Sequence, residues 1–208
     1  MKQLFRKVAT TAGFAFFVLG SLGAKADTIV NIKGFGNDGA GANIFAYPVA
    51  PGAVVDLFNP VLVDLQAGDY LIADAWGKAG ALYDTWNFQI GAAGSWGSHF
   101  VAAKPLGGNQ YSVLIDGISL LEPTCKNHFC AWDTQAEAAA AFAATPAFRL
   151  HLAQDTTVAF VSADYYLPDN SGGISLSITA VPEPESWAML LAGLTALGLR
   201  CRRDKRQA

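Results

Sequence analysis

The sequence has few charged residues, few histidines and no familiar catalytic motif, and each shortage excludes a class of protein. Only 15% of the 208 residues are charged and 52% are hydrophobic, which argues against a disordered chain and favours one domain with a sizeable core. The three histidines are widely separated, and neither a G-x-S-x-G nucleophile elbow nor an H-E-x-x-H zinc helix is present. We therefore predict that the protein is not an enzyme.

Basic residues are scarce in the middle of the chain. Residues 27–181 contain five basic and fourteen acidic residues, a net charge of −9. A region this acidic repels phosphate backbones, which excludes nucleic acid as a partner. The other nine basic residues lie in the two ends, each group beside an apolar run. The two ends are therefore predicted to be targeting segments that flank an exported domain at 27–180.

Residues 1–26 have the three parts of a secretory signal peptide, with signal peptidase as the expected partner. A positive region and an apolar region are followed by a small-residue cleavage pattern; these are Lys2, Arg6 and Lys7, then residues 13–22, then Ala24 and Ala26. A buried or membrane-spanning helix is the alternative, but the apolar run is short for a span. Cleavage is expected before Asp27.

Residues 181–208 have a three-part pattern of their own. A proline motif, which forbids a continuing strand or helix, precedes an apolar segment at 186–199 and a basic tail. The motif is Val181, Pro182, Glu183 and Pro184, and the tail includes Arg200, Arg202 and Arg203. The apolar segment predicts a short transmembrane helix, below the roughly 17–25 residues of a comfortable span. The basic tail would keep its end of this helix on the cytoplasmic side of the membrane.

In this order, the proline motif, the apolar helix and the arginine-rich tail resemble the PEP-CTERM sorting signal of exopolysaccharide-producing Gram-negative bacteria. The resemblance implies recognition by exosortase, a membrane-embedded cysteine transpeptidase, with cleavage near residues 182–184. It implies a precursor that is anchored transiently in the inner membrane. It also implies a mature protein at the cell surface or in the extracellular matrix, where exopolysaccharide is a partner.

Residues 27–180 are predicted to be all-β, because short apolar or alternating runs are separated by Gly, Pro, Asn and Asp. A capping box at Thr134-x-x-Glu137 predicts one short helix near 134–144. About ten short strands and one helix favour a two-sheet sandwich, of which a jelly roll is one arrangement, with apolar helices at both termini of the chain. The predicted strands are Thr28–Lys33, Ile44–Val49, Val54–Phe58, Val61–Leu65, Tyr70–Trp76, Trp86–Ile90, His99–Ala103, Tyr111–Asp116, Phe148–Leu152, Thr157–Ala163 and Ile174–Thr179.

The last predicted strand shows the clearest alternation. Apolar residues alternate with hydroxyl residues along it, which predicts one buried face and one solvent-exposed face. The apolar set is Ile174, Leu176 and Ile178, and the hydroxyl set is Ser175, Ser177 and Thr179.

Cys125 and Cys130 are the two cysteines of the predicted exported domain. Export to an oxidising compartment and close spacing favour a disulfide that closes a small loop. The alternatives are a metal site that uses both sulfur atoms and His128, and two free thiols.

The segment that leads into the last predicted strand contains Asp164, Asp169 and Asn170. Carboxylate and amide oxygens on a turn are the hard ligands that Ca²⁺ requires, so Ca²⁺ is the one cofactor considered. The D-N-S-G-G turn is similar to that of calcium-dependent galactose-binding bacterial lectins. The resemblance implies an ion that contacts sugar hydroxyls. The alternative is a plain β-turn whose Asp and Asn hydrogen-bond their own backbone.

Four aromatic residues are candidates for sugar stacking, namely Trp86, Trp96, Tyr165 and Tyr166. Tryptophan in a small sandwich is usually part of the core, so burial is the favoured interpretation of the two tryptophans. Taken together, the patterns predict an exported surface or matrix protein that binds exopolysaccharide. The alternatives are a secreted hydrolase that acts on this polymer and a purely structural envelope or biofilm component.

Overall fold

A computed structural model describes residues 27–35, 49–89, 94–117, 125, 130–162, 167–182 and 191–195. These residues form two antiparallel sheets, which confirms the predicted all-β, two-sheet sandwich. The predicted signal peptide and most of the predicted strand Ile44–Val49 lie outside the described residues. The strands are β1 (Thr28–Lys33), β2 (Val54–Asp56), β3 (Val61–Leu65), β4 (Gly68–Asp74), β5 (Trp86–Asn87), β6 (Trp96–Gly97), β7 (Phe100–Gly107), β8 (Gln110–Asp116), β9 (Phe148–Leu152), β10 (Thr156–Ser162) and β11 (Ser171–Val181).

Strand β11 organises the first sheet. That sheet has the order β6-β5-β11-β4-β9, and β1 pairs with β11 as well. The eleven residues of β11 are enough for antiparallel pairing with β5 at its start, with β1 along its middle and with β4 towards its end. The second sheet has the order β2-β8-β7-β10-β3.

The main core lies between the two sheets. Side chains from the inward faces interdigitate there, as the alternating pattern requires. Ile174, Leu176 and Ile178 of β11 belong to this cluster together with Phe100 of β7 and Phe160 of β10. The inward face of β11 is therefore the apolar face that the sequence predicts.

The second sheet is buried on its outer face as well. Along β10, Val158 and Phe160 belong to the main core, whereas Ala159 and Val161 belong to a second apolar cluster. Val113 of β8 lies in this second cluster and is 2% exposed. The central strands of this sheet thus contribute apolar residues on both faces.

The outer face of the first sheet is covered in a different way. Ser175 and Ser177 are 0% and 1% exposed, so the prediction of a solvent-exposed face on β11 was wrong at these residues. The loop at residues 75–85 crosses this face: the backbone N–H of Tyr83 donates to Ser175 Oγ at 2.9 Å, and Lys78 Nζ donates to Ser177 Oγ at 3.0 Å. Alternation in the sequence shows which face of a strand is polar. It does not show whether water or the polar groups of another segment cover that face.

The predicted short helix is confirmed as α1 (Gln135–Ala144). The Thr134 hydroxyl accepts from the Glu137 N–H at 3.2 Å, and the Glu137 carboxylate accepts from the Thr134 N–H at 3.2 Å. This reciprocal capping box fixes the start of the helix. Residues 191–195 are also helical, and the rest of the predicted segment 186–199 lies outside the described residues. No helix in the described ranges is both long and apolar enough to cross a membrane.

Candidate functional site

The turn at residues 167–170 leads directly into β11. Leu167–Asp169 form a single 3₁₀ turn, and Asn170 follows with 3% of its surface exposed. Asn170 Nδ2 donates to the backbone oxygen of Gly34 at 2.9 Å, and Ser162 Oγ donates to the same oxygen at 3.0 Å. The end of β10 and the start of β11 are therefore both tied to the chain that leaves β1.

Two oxygen atoms of the 167–170 turn are buried without a hydrogen-bond partner in the described structure. These are Asp169 Oδ1 and Asn170 Oδ1, on consecutive residues. Leaving a buried acceptor unsatisfied costs about 1–3 kcal/mol, and more for a charged group. A carboxylate oxygen and an amide oxygen are both ligands that Ca²⁺ accepts, so the pair fits a hard cation. Asp164, the third predicted ligand, lies outside the described residues.

The two glycines that follow the turn allow a close approach of several chains. Gly172 has φ +75°, and a Cβ built on it would lie 2.7 Å from the Thr85 backbone oxygen. A Cβ on Gly173 would collide with the Ile32 backbone oxygen and lie 2.8 Å from a ring carbon of Tyr83. The S-G-G sequence is thus required by packing as well as by turn geometry, because β1, β5 and the 75–85 loop all meet there.

The 75–85 loop is held firmly to β1 and β11. Ser175 Oγ accepts from the N–H groups of Leu82 at 3.0 Å and Tyr83 at 2.9 Å, and it donates to Asn31 Oδ1 at 2.6 Å. Asn31 Nδ2 in turn donates to the Gly80 backbone oxygen at 3.0 Å. These bonds fix the loop from both strands, so its position does not depend on apolar burial alone.

Sequence reasoning missed Trp76 as an exposed aromatic residue, because the strand was predicted to continue through it. Strand β4 ends at Asp74, and Trp76 lies in the loop with 55% of its surface exposed. The Asp74 Oδ1 accepts from the Trp76 N–H at 2.9 Å, which turns the chain out of the sheet. The sequence signal for this end is the Asp-Ala-Trp-Gly order, which places a turn former on either side of the tryptophan.

Acidic groups surround the loop. Burial raises the pKa of Asp74, and the charge of nearby Asp84 raises it further, against hydrogen bonds from the N–H groups of Trp76 and Ala75 that lower it. Both oxygens of Asp84 accept from Gln135 Nε2, at 2.9 and 3.0 Å. An aspartate therefore lies near each end of the loop.

The aromatic residues proposed from the sequence lie elsewhere. Trp86 is 0% exposed, its indole N–H donates to the His99 backbone oxygen at 3.3 Å, and its ring meets the His99 ring edge-on at 4.8 Å. Trp96 is partly buried and shares two backbone hydrogen bonds with Trp132. Burial of Trp86 agrees with the favoured interpretation and leaves its ring no free face for a sugar. Tyr165 and Tyr166 lie outside the described residues.

Cys125 and Cys130 are joined by a disulfide, with their Cα atoms 4.4 Å apart. Residues 126–129, including His128 of the alternative metal site, lie outside the described residues. Within the described ranges, no group of three or more His, Cys, Asp or Glu side chains is arranged to hold a metal ion.

An open polar cleft of about 250 Å³ lies where the end of β3 pairs with the start of β10. Two of its lining residues are carboxylates with local partners. Asp64 Oδ1 accepts from Thr157 Oγ1 at 2.6 Å, and Asp155 Oδ1 accepts from the Ala67 N–H at 2.8 Å. Both carboxylates therefore contribute to the local structure of the strand ends.

A family model for the PEP-CTERM protein-sorting motif matches residues 180–206. No curated protein and no solved structure matches the chain. The matched segment starts inside the sandwich, because Ala180 and Val181 still pair with Tyr70 and Asp69 of β4.

The remaining predicted motif and tail residues, Glu183, Pro184, Arg200, Arg202 and Arg203, lie outside the described residues. Pro182, which follows the last residue of β11, is exposed. The sorting motif thus continues directly from the last strand of the domain. The chain carries a PEP-CTERM protein-sorting motif, which makes it an exported protein that exosortase sorts towards the cell surface.

Proposed function

We propose that the exported sandwich binds exopolysaccharide at the cell surface and that it holds a Ca²⁺ ion at the 167–170 turn. The sorting motif supports the binding of exopolysaccharide, because the PEP-CTERM signal that the tail resembles belongs to exopolysaccharide-producing bacteria. The observation that carries the Ca²⁺ site is the pair of buried, unpartnered oxygens on Asp169 and Asn170.

Asp169 and Asn170 would supply two side-chain oxygens to the ion. Ca²⁺ takes about six to eight oxygen ligands, so other oxygens must complete its shell. Asp164 is the further carboxylate on the same segment of sequence. Because both oxygens are buried, the ion would act on polymer binding through the fold, by stabilising the start of the strand against which the 75–85 loop packs.

The charge of the domain supports a bound cation. Residues 27–181 have a net charge of −9, and like-charge repulsion opposes the compact state. A divalent cation at the start of β11 would reduce that repulsion at a point where β1, β5 and β10 meet. It would also satisfy two acceptors whose burial is otherwise unfavourable.

Co-sedimentation with the exopolysaccharide of the producing cells tests this function. The secreted protein is expected to pellet with the polymer in Ca²⁺ and to stay in the supernatant in EGTA. Asp169→Ala is expected to stay in the supernatant in both conditions. Asp56→Ala removes an exposed carboxylate of β2 in the other sheet and is expected to behave like the wild type.

Three results would contradict the proposal. Equal sedimentation with and without EGTA would leave polysaccharide binding but remove the role of Ca²⁺. Absence of the wild-type protein from the polymer pellet in Ca²⁺ would favour the structural interpretation, and a fall in polymer viscosity would favour the hydrolase.

A further inference from the structure

The most exposed tryptophan in the described ranges lies on a loop that hydrogen bonds fix to β1 and β11. Trp76 is 55% exposed, and Leu82 on the same 75–85 loop is 65% exposed. An exposed aromatic ring is unfavourable in water, and ordering the loop that carries it costs conformational entropy. The hydrogen bonds from Asn31 and Ser175 hold the loop in place without any ligand. A loop whose backbone is already fixed loses little further freedom when a ligand binds to a side chain that it carries.

The residues beside Trp76 select the charge of such a ligand. Asp74 lies two residues before it, and Asp84 lies at the far end of the loop. Lys78 is the cation of the loop, and it forms an ion pair with Asp27 at 2.6 Å. Asp27, Asp74 and Asp84 outnumber this one base and leave a net negative charge. That charge repels uronate, sulfate and phosphate groups.

We infer that the 75–85 loop is the surface on which the polymer docks, with an uncharged sugar ring stacked on Trp76 and with Asp74 accepting from sugar hydroxyls. The inference rests on the proposed polysaccharide binding and adds where the polymer binds and which class of polymer is accepted. The apolar face of a sugar ring matches the indole, and its hydroxyl groups are donors that a carboxylate can accept. A neutral polymer meets both groups without repulsion.

Affinity electrophoresis of the secreted protein tests this inference, with gels that contain a neutral glucan, a neutral galactan or the polyuronate alginate. The wild type is expected to be retarded by at least one neutral polymer and not by alginate. Trp76→Ala is expected to weaken retardation about tenfold or more, as truncation of a central aromatic contact does. Trp76→Phe is expected to recover part of it.

Leu106→Ala provides the matched control, because Leu106 is 53% exposed and lies at the end of β7 in the other sheet. It is expected to be retarded like the wild type. Equal retardation of Trp76→Ala and wild type would overturn the docking surface while leaving polysaccharide binding intact. Retardation by alginate alone would overturn the charge class. Retardation of the wild type by none of the polymers, together with its absence from the polymer pellet in the co-sedimentation assay, would overturn the proposed function itself.

Discussion

The 75–85 loop and the 167–170 turn both adjoin β11, but they differ in whether their polar groups have hydrogen-bond partners. In the loop, the Ser175 hydroxyl accepts from two backbone N–H groups and donates to Asn31. In the turn, Asp169 Oδ1 and Asn170 Oδ1 are buried without a hydrogen-bond partner among the described residues. The groups that hold the loop against β11 are therefore hydrogen-bonded as folded, whereas the turn keeps two buried oxygens without a hydrogen-bond partner in the described structure.

The largest expected effect comes from a change where the two regions meet. Gly173→Ala places a methyl group against the Ile32 backbone oxygen and the Tyr83 ring, so β1 or the loop must move. We expect a loss of about 3 kcal/mol in the free energy of unfolding, as for severe overpacking. Urea unfolding measures it. Ser171→Ala, on the same strand and half-exposed, should stay within about 0.5 kcal/mol of the wild type, and a similarly small loss for Gly173→Ala would contradict the packing described.

A second change is expected to loosen the 75–85 loop and to leave the 167–170 turn unchanged. Ser175→Ala removes the acceptor of the Tyr83 N–H, whereas the Leu82 N–H retains Asn31 Oδ1 at 3.0 Å. Because a partly buried donor is left unsatisfied, we expect a loss of about 2 kcal/mol in unfolding free energy. Polymer affinity should fall with it, and calcium affinity should not. Ser112→Ala in β8 is the matched control, and equal stability of the two variants would show that the loop is not held by Ser175.

The sequence predicts local elements better than it predicts what covers them. The bounds of β1, β3 and β9 and the capping box at Thr134 are set by nearby residues, so alternation and capping chemistry are sufficient to find them. The burial of Ser175 and the exposure of Trp76 depend on a loop that packs across two strands distant in sequence. Hydrophobic periodicity does not reveal such a contact, because it depends only on residues that are close in sequence.

The candidate sites show the same limit. Residue chemistry selects Asp169 and Asn170 as candidate ligands, because oxygen ligands on a turn are visible in the sequence, and their binding of Ca²⁺ stays a prediction. Residue chemistry is not enough to choose among the tryptophans, since Trp76 and Trp86 have the same chemistry and differ only in burial. Residue type alone therefore identifies candidate oxygen ligands more readily than it identifies an exposed aromatic surface.

The smallest effect concerns the acid beside Trp76. The pKa of Asp74 is raised chiefly by burial, so the stability it contributes is present below its unfolded pKa and is lost as the pH rises through its folded pKa. Asp74→Asn removes this loss, and we expect it to equal the wild type in acid and to exceed it near pH 7 by about 0.5 kcal/mol or less, since solvent screens a half-exposed group. Unfolding free energies measured across pH provide the comparison.

Asp27→Asn is expected to change the dependence of the unfolding free energy on pH in the opposite direction. Hydrogen bonds from Lys78 and Thr179 lower the pKa of Asp27, so its stabilisation is present above the unfolded pKa and is lost as the pH falls through the folded pKa. This variant should be less stable than the wild type near pH 7 and should approach it in strong acid. Parallel pH profiles for the Asp74 and Asp27 variants would contradict the burial and pairing assigned to these two groups.

Thermal unfolding of the secreted protein with Ca²⁺ and with EGTA tests most directly whether the 167–170 turn is incomplete without a cation. At about 100 times its dissociation constant, an ion that binds only the folded state adds about 2.7 kcal/mol to stability. The wild type should therefore melt higher in Ca²⁺, Ser175→Ala should melt lower but keep the same separation, and Asp169→Ala should lose the separation. Superimposable wild-type curves in Ca²⁺ and EGTA would contradict the account and would return Asp169 and Asn170 to ordinary turn chemistry.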